Sequence, residues 1–313
     1  MNSLVPWAPT SELYDAARAF SRASLASASL RAYKSAWEMF SAFCTERGFR
    51  SLPAAPETVA LYITDMAKSL ERADITVVKH LAAISYVHKQ ASLAQPNVPG
   101  LSPSPSRSAL VQSVLSGIRR AGTRQVQHKT PATRNIIEAL VGQIDRSTLQ
   151  GLRDAAAILV GYVGAFRPSE VVALRLEDVR FTPDGAEILL RKSKIDQEAK
   201  GYWKGIPFGE DEMLCPVLAL RAWIDSAHLP AGRLFPMSAR ALSRLIKRHA
   251  QEAGLDPALY SGHSLRAGYA TEALRQGVDS IVVAKQTGHR NVNSLRDYYQ
   301  DDSINRGGAK RVI

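Results

Sequence analysis

Residues 262–298 read GHSLRAGYATEALRQGVDSIVVAKQTGHRNVNSLRDY, and this stretch is the most informative part of the sequence for the fold. His263 and Arg266 lie three residues apart at the predicted start of a helix, so their side chains point to the same side. Gly288 and His289 follow a second helical stretch, and Tyr298 lies nine positions after His289. A lone histidine after a glycine is usually a capping or core residue. The spacing of the whole set is therefore what indicates a functional site.

A further arginine stands at a predicted helix junction earlier in the chain. Residues 155–166 form an apolar helix, Arg167 follows it, and Pro168 is suited to the first position of a new helix. Arg167 is therefore a candidate functional residue. The structural alternative is a simple ion pair between Arg167 and Glu170.

Residues 186–208 differ from the helical sequence around them. The runs 186–191 and 201–208 are predicted to be two strands joined by a polar turn. Lys194 lies at the tip of this hairpin, where a lysine can reach into a groove. A plain charged turn is the structural alternative.

The rest of the chain is predicted to be mostly helical. Apolar residues recur at three- and four-residue steps in 29–47, and a second helix after Pro56 directs apolar positions from Val59 to Leu70 inward. We predict a mainly α fold with a small antiparallel β-sheet. The domains are a helical bundle over 1–122, a basic linker over 123–132 and a second domain over 133–313.

Bulk composition narrows the classes of function. The chain has 313 residues, 45% hydrophobic and 22% charged, and no apolar run reaches the about 18 residues of a spanning helix. No export signal begins it, so we expect a cytoplasmic protein and no membrane partner. Cys44 and Cys215 are too far apart for a disulfide framework or a zinc site. The net charge of +11 favours a polyanionic partner.

Two sets of cations are candidates for DNA contact, and in both cases a solvated helix surface is the alternative. The first set lies at the end of the smaller domain. The second falls on one face of a helix whose other face carries Leu242, Leu245 and Ile246. The two sets are Arg119, Arg120 and Arg124, and Arg240, Arg244, Lys247 and Arg248.

The order of these motifs resembles the catalytic signature of the tyrosine recombinase (phage integrase) family. The order is arginine, lysine, His-x-x-Arg, Gly-His and tyrosine. The resemblance is strongest to the Cre-like and Xer-like members. It covers the second domain and implies that this is the catalytic domain and that the helical bundle is the core-binding domain. It also implies which residues surround the scissile phosphate, with Tyr298 attacking and Glu170 supporting the site. Those residues are Arg167, Lys194, His263, Arg266 and His289. Lys192 or Lys200 are alternatives to Lys194, and Tyr299 is adjacent to Tyr298.

These residue types suit attack on a phosphodiester. Guanidinium groups donate paired hydrogen bonds to phosphate oxygens and stabilise the charge that develops in the transition state. Histidines can donate further bonds or move protons. Lysine can protonate the leaving 5′ oxygen, and a covalent 3′-phosphotyrosine conserves the bond energy without ATP.

We therefore predict a site-specific recombinase that acts on double-stranded DNA as a homo-tetramer. It is expected to need no metal, cofactor or small-molecule substrate. Two alternatives remain. One is a DNA-binding regulator whose two domains clamp duplex DNA without cutting it, and the other is a type IB topoisomerase or telomere resolvase with the same chemistry.

Overall fold

A computed structural model of the chain describes residues 11–23, 25–95, 104–122, 129–191, 201–229, 231–289 and 291–298. The chain divides into two compact units, Met1–Gln127 and His128–Ile313. The division falls inside the predicted linker over 123–132, of which residues 123–128 lie outside the described ranges. The described residues are mainly helical with a small antiparallel sheet, which confirms the predicted fold class.

The first unit contains helices only, in the ranges that the structure describes. They are α1 (Ser11–Ala23), α2 (Ser27–Glu46), α3 (Pro56–Lys68), α4 (Asp74–Ala94) and α5 (Ala109–Ala121). Pro56 occupies the first turn of α3, where its missing N–H costs no hydrogen bond. Ser108 caps α5, since its hydroxyl accepts a hydrogen bond of 3.3 Å from the backbone N–H of Val111.

The core of the first unit follows the predicted helical periodicity. Phe40 of α2 packs with Tyr62, Ile63 and Met66 of α3, and all four are buried. The prediction that Leu70 points inward is wrong. The helix ends at Lys68, and Leu70 beyond it is 44% exposed.

The second unit combines helices with a small sheet. The helices are α6 (Arg134–Gly142), α7 (Leu149–Val163), α8 (Pro168–Val171), α9 (Pro216–Ala227), α10 (Ala239–Glu252), α11 (Gly262–Arg275) and α12 (Ser280–Thr287). The strands are β1 (Val179–Thr182), β2 (Gly185–Leu190) and β3 (Tyr202–Pro207). A 3₁₀ helix over Val292–Tyr298 follows α12.

The sheet has three strands in the order β1-β2-β3, all antiparallel. The two predicted strands pair with Ile188 opposite Lys204 and Leu190 opposite Tyr202. The first strand, β1, was missed by the sequence analysis. It pairs Val179 with Ile188 and is only four residues long, so its alternation is too short to stand out.

Helix α7 forms the centre of the second core and ends beside the site. Its residues 155–160 are all buried, as the apolar sequence predicts. After Val163 the chain turns through Gly164 and Ala165, and Ala165 adopts a left-handed φ of 47°. Such a conformation is uncommon for a residue with a Cβ and reverses the chain sharply. Phe166 is then buried, and Arg167 comes directly before α8.

Helix α11 packs closely against the backbone at Ala132, near the start of the second unit. A Cβ at Gly268 would collide with the carbonyl oxygen of Ala132, so glycine permits this approach. The backbone N–H of Ser261 donates a 3.0 Å hydrogen bond to the hydroxyl of Ser264 at the start of α11. These contacts fix the helix that carries His263 and Arg266.

Candidate active site

Arg167 is held by Glu170 at the start of α8. Its guanidinium donates a 2.6 Å hydrogen bond to Oε1 of Glu170, and its backbone N–H donates a 2.8 Å bond to Oε2. The two side chains are 15% and 4% exposed. A second guanidinium nitrogen lies 3.5 Å from the carbonyl oxygen of Gly288. The ion pair between Arg167 and Glu170, which the sequence offered as the structural alternative, is therefore present. It also orients Arg167 toward the end of α12.

Arg266 reaches the same turn from α11. Its Nη1 donates a 2.9 Å hydrogen bond to the carbonyl of Ala165, and its Nη2 lies 3.5 Å from Nε2 of His289. Burial, then the nearby charge of Arg167, lowers the pKa of Arg266 to about 10, while Glu170 acts in the opposite direction. Arg266 is 4% exposed and still charged at neutral pH. Two guanidinium groups thus lie beside one tight turn.

His289 follows the left-handed Gly288, whose φ of 64° ends α12 and turns the chain back. Its Nδ1 lies 2.7 Å from the hydroxyl of Thr287. Burial and the charges of Arg266 and Arg167 lower the pKa of His289 to about 4. The imidazole is therefore neutral at physiological pH.

Tyr298 ends the 3₁₀ helix beside His289. The centroids of the two rings are 5.9 Å apart. The tyrosine is half-buried against a small apolar cluster that includes Ala270 and Leu274 of α11 and Leu295. The nine-residue step from His289 therefore brings the tyrosine back to the histidine, as the spacing predicts.

His263 lies on the first turn of α11, one turn before Arg266, and its side chain is exposed. The two side chains therefore differ in depth, although they share a side of the helix. The lysine candidates Lys192, Lys194 and Lys200 lie outside the described residues, as does Tyr299.

Lys204 was not identified from the sequence, although its charge interacts with both arginines. It is 2% exposed, and its Nζ donates a 2.6 Å hydrogen bond to the carbonyl of Gly164 and lies 4.5 Å from the ring centre of Phe166. Burial lowers its pKa to about 7, with Glu170 opposing and the two arginines adding to the effect. The signal that was overlooked is strand alternation, because Lys204 and Ile206 are the buried positions of β3.

The predicted cations of α10 differ in their surroundings. Leu242, Leu245 and Ile246 are buried, and the four cations are exposed, so the amphipathic helix is confirmed. However, Arg248 does not extend freely like its neighbours. Its guanidinium donates a 2.5 Å hydrogen bond to the buried carboxylate of Asp154 and also lies 3.6 Å from Glu252. Arg119 and Arg120 are exposed in the last turn of α5, and Arg124 lies outside the described residues.

In the described part of the chain, none of the helices has the length and apolar character that a membrane crossing requires. In the same ranges, no group of three His, Cys, Asp or Glu side chains is arranged to hold a metal ion.

Comparison with known proteins identifies the family. The model of the phage integrase family matches residues 132–304. An integrase/recombinase XerD homolog of Selenomonas ruminantium is 33% identical over 298 residues, covering 91% of this chain and 85% of the relative. The Cre recombinase of Escherichia phage P1 is 25% identical over 305 residues, covering 88% and 84%. A solved lambda integrase tetramer bound to a Holliday junction shares the fold, with a TM-score of 0.58 and 12% identity over 95% of this chain and 80% of that chain.

The chain therefore belongs to the phage integrase family. It is a site-specific tyrosine recombinase, an enzyme whose partner is DNA.

Proposed function

We propose that Tyr298 is the nucleophile and that Arg167 and Arg266 bind the scissile phosphate. The observation that carries the proposal is the convergence of both guanidinium groups, His289 and Tyr298 on the ends of α7 and α12. Three stretches of the sequence supply these groups, with Arg167 in the first, Arg266 in the second, and His289 and Tyr298 in the third. Only one anion, Glu170, pairs with the arginines among the described residues. The site has a net positive charge that a phosphate diester complements.

The two arginines serve the reaction in two ways. Each can donate paired hydrogen bonds to non-bridging oxygens, and these bonds strengthen as charge spreads over those oxygens in the transition state. A tyrosine hydroxyl has an ordinary pKa near ~10, and nearby cations favour the phenolate that forms during attack. His263 can complete the set by hydrogen bonding or by moving protons, and His289 lies within hydrogen-bond distance of Arg266.

The leaving group is a deoxyribose 5′ oxygen, which departs readily only when it is protonated. Lys194, which lies between β2 and β3 in the sequence, is proposed as the general acid, with Lys192 and Lys200 as the alternatives. The product is a covalent 3′-phosphotyrosine. Its bond energy is available for religation without ATP.

The assembly is also a proposal. The helical bundle over 1–122 and the catalytic domain are joined by the linker over 123–132 and close around duplex DNA as a C-shaped clamp. The exposed cations Arg119, Arg120, Arg240, Arg244 and Lys247 contact phosphates, and Arg124 is proposed to join them. The solved lambda integrase tetramer on a Holliday junction supports the proposal of a homo-tetramer. We also propose that the enzyme acts in the cytoplasm.

The decisive experiment uses a suicide substrate that is nicked near the cleavage point and labelled on the strand that becomes covalently attached. Tyr298→Phe removes one oxygen and little packing, so the variant should fold, bind its site and form no covalent complex. Tyr299→Phe is the matched control and should keep substantial activity, because Tyr298 is the tyrosine whose ring lies beside His289.

A denaturing gel before and after protease digestion measures the covalent complex. A protease-sensitive shifted band from Tyr298→Phe, together with its absence from Tyr299→Phe, would identify Tyr299 as the nucleophile. If the wild-type protein on its native site never gives that band, the proposed roles fail and a DNA-binding regulator is the better account.

A further inference from the structure

The hydroxyl of Thr287 makes two short contacts at the end of α12. The side chain is completely buried, and its Oγ1 lies 2.6 Å from the carbonyl oxygen of Val283 and 2.7 Å from Nδ1 of His289. A hydroxyl has one hydrogen to donate. The hydrogen can therefore satisfy only one of these two short contacts.

The carbonyl of Val283 decides where that hydrogen lies. A carbonyl oxygen can only accept, so at 2.6 Å it must face the hydroxyl hydrogen, because two oxygens at this distance repel each other without one. The oxygen of Thr287 is then the acceptor in its contact with His289. Nδ1 of His289 must be the nitrogen that carries a hydrogen.

The second nitrogen of the ring leads to the same assignment. Nε2 of His289 lies 3.5 Å from Nη2 of Arg266, and a guanidinium group has donors and no acceptor. A hydrogen on Nε2 would face the N–H groups of Arg266 and repel them. Since the imidazole is neutral, with its pKa lowered to about 4 mainly by burial, it carries one hydrogen, on Nδ1.

We propose that Thr287 is a positioning residue that fixes His289 in the tautomer whose Nε2 accepts a hydrogen bond from Arg266. The guanidinium is thereby held at two points, by the carbonyl of Ala165 at Nη1 and by His289 at Nη2. Its remaining N–H groups are left for a phosphate. Arg266 is thus oriented before DNA arrives, which lowers the cost of ordering it during the reaction. The effect on cleavage rests on the proposed roles of Arg266 and His289, whereas the tautomer does not.

The tautomer is measured directly in the DNA-free protein. Protein labelled with ¹⁵N-histidine gives nitrogen shifts and couplings that distinguish the two neutral forms, and His289→Gln identifies the signals of His289 among the seven histidines. We expect a hydrogen on Nδ1 in the wild type and in Thr287→Ser, which keeps the hydroxyl. In Thr287→Val, which has the same shape without the hydroxyl, the Nε2-protonated form should become populated.

The same variants are then compared for covalent complex formation and for DNA affinity. Thr287→Val should form the complex about fivefold to tenfold more slowly, the rate equivalent of one buried hydrogen bond, with unchanged affinity. Thr287→Ser should restore the rate. A general packing defect would lower the melting temperature and would not be rescued by serine.

Two results would overturn the inference: a hydrogen on Nε2 in the wild type, or a tautomer in Thr287→Val that equals the wild type. The measurement in Thr287→Ser and in the wild type remains decisive if the valine variant does not fold. An Nδ1–H tautomer in a protein that forms no covalent complex would refute the proposed function and leave the tautomer assignment intact.

Discussion

At the scale of single residues, Arg266 contributes to both the fold and the site. Its guanidinium holds the left-handed turn at Ala165 through a 2.9 Å bond, and the same group lies beside His289. A buried arginine remains charged at neutral pH because its lowered pKa, about 10, is still well above that range. The fixed cation of the site therefore also stabilises the turn that leads to Arg167.

Lys204 provides the test at this scale. It holds the carbonyl of Gly164, next to the carbonyl that Arg266 holds. Lys204→Met keeps the length of the side chain and removes its charge and its hydrogen bonds. We expect covalent complex formation to slow about tenfold or more, because the turn and the positive potential at the phosphate are both weakened.

The stability of the wild type and of the same variant should differ in their dependence on pH. The pKa of Lys204 is about 7 in the fold and 10.5 when unfolded, so below about pH 7 the fold bears the full cost of the buried charge. As pH rises from about 7 toward 10.5, the unfolded state binds more protons and the wild type gains stability. Denaturant unfolding at pH 7 and pH 9 should show this gain in the wild type and not in Lys204→Met. An equal pH dependence in both proteins would show that Lys204 is not a buried cation.

At the scale of elements, the hairpin has two separate roles. The facing strands β2 and β3 bury Lys204 on the inner face, and their connection contains the lysines proposed for acid catalysis. Strand alternation determines that Lys204 is buried. The choice of general acid among Lys192, Lys194 and Lys200 depends on the length of the turn, so the strand register does not determine it.

The hairpin proposal is tested with a substrate that contains a 5′-bridging sulfur, which leaves without protonation. Lys194→Ala should slow cleavage of ordinary DNA about a hundredfold or more, and the sulfur substrate should restore much of the rate. Lys192→Ala and Lys200→Ala are the matched controls and should need no rescue. Rescue of either control in place of Lys194→Ala would assign the acid to that lysine.

We expect helix α10 to divide its cations between two tasks. Replacing Arg240, Arg244 and Lys247 with glutamine should weaken DNA binding and reduce the slope of log affinity against log salt by about one for each phosphate that the variant no longer neutralises. Arg248→Gln should instead destabilise the fold by about 1–3 kcal/mol, because it removes a partner of the buried Asp154. Binding titrations over a range of salt and denaturant unfolding separate the effects. An unchanged salt slope in the triple variant would contradict the proposed binding of DNA by this face.

At the scale of the whole molecule, a net charge of +11 and two compact units suit an enzyme that holds a long polyanion. Charge of this kind gives affinity without sequence preference. Recombination between two sites also requires several subunits to act together, and the proposed homo-tetramer would supply them.

The assembly is tested with the cleavage-deficient Tyr298→Phe on duplexes that carry the full site. Sedimentation analysis should give particles of four chains with two duplexes. A duplex with a single half-site is the control and should bind fewer chains, because two subunits can no longer bind side by side on each duplex. Particles that never exceed one duplex, at protein concentrations that saturate the DNA, would contradict the tetramer.

The sequence by itself determined the features that depend on local spacing. Helical periodicity predicted the two α-rich regions and the two faces of α10, and two strand-like runs joined by a polar turn predicted the paired strands β2 and β3. The order and separation of Arg167, His263, Arg266, His289 and Tyr298 identified the family. These features follow from residue type and position along the chain, so no packing information is needed.

Only the tertiary structure decided which groups meet and what their surroundings do to them. Arg266 donates a hydrogen bond to a carbonyl 101 residues away, and Arg248 donates one to a carboxylate 94 residues away. Lys204 donates one to the carbonyl of Gly164. The proton on His289 depends on two contacts at hydrogen-bond distance. Burial and hydrogen-bond partners arise from packing between distant segments, and these set the charge and pKa of each group. The sequence pattern alone gives neither the burial nor the hydrogen-bond partners of a side chain, because it does not specify which distant residues pack against it.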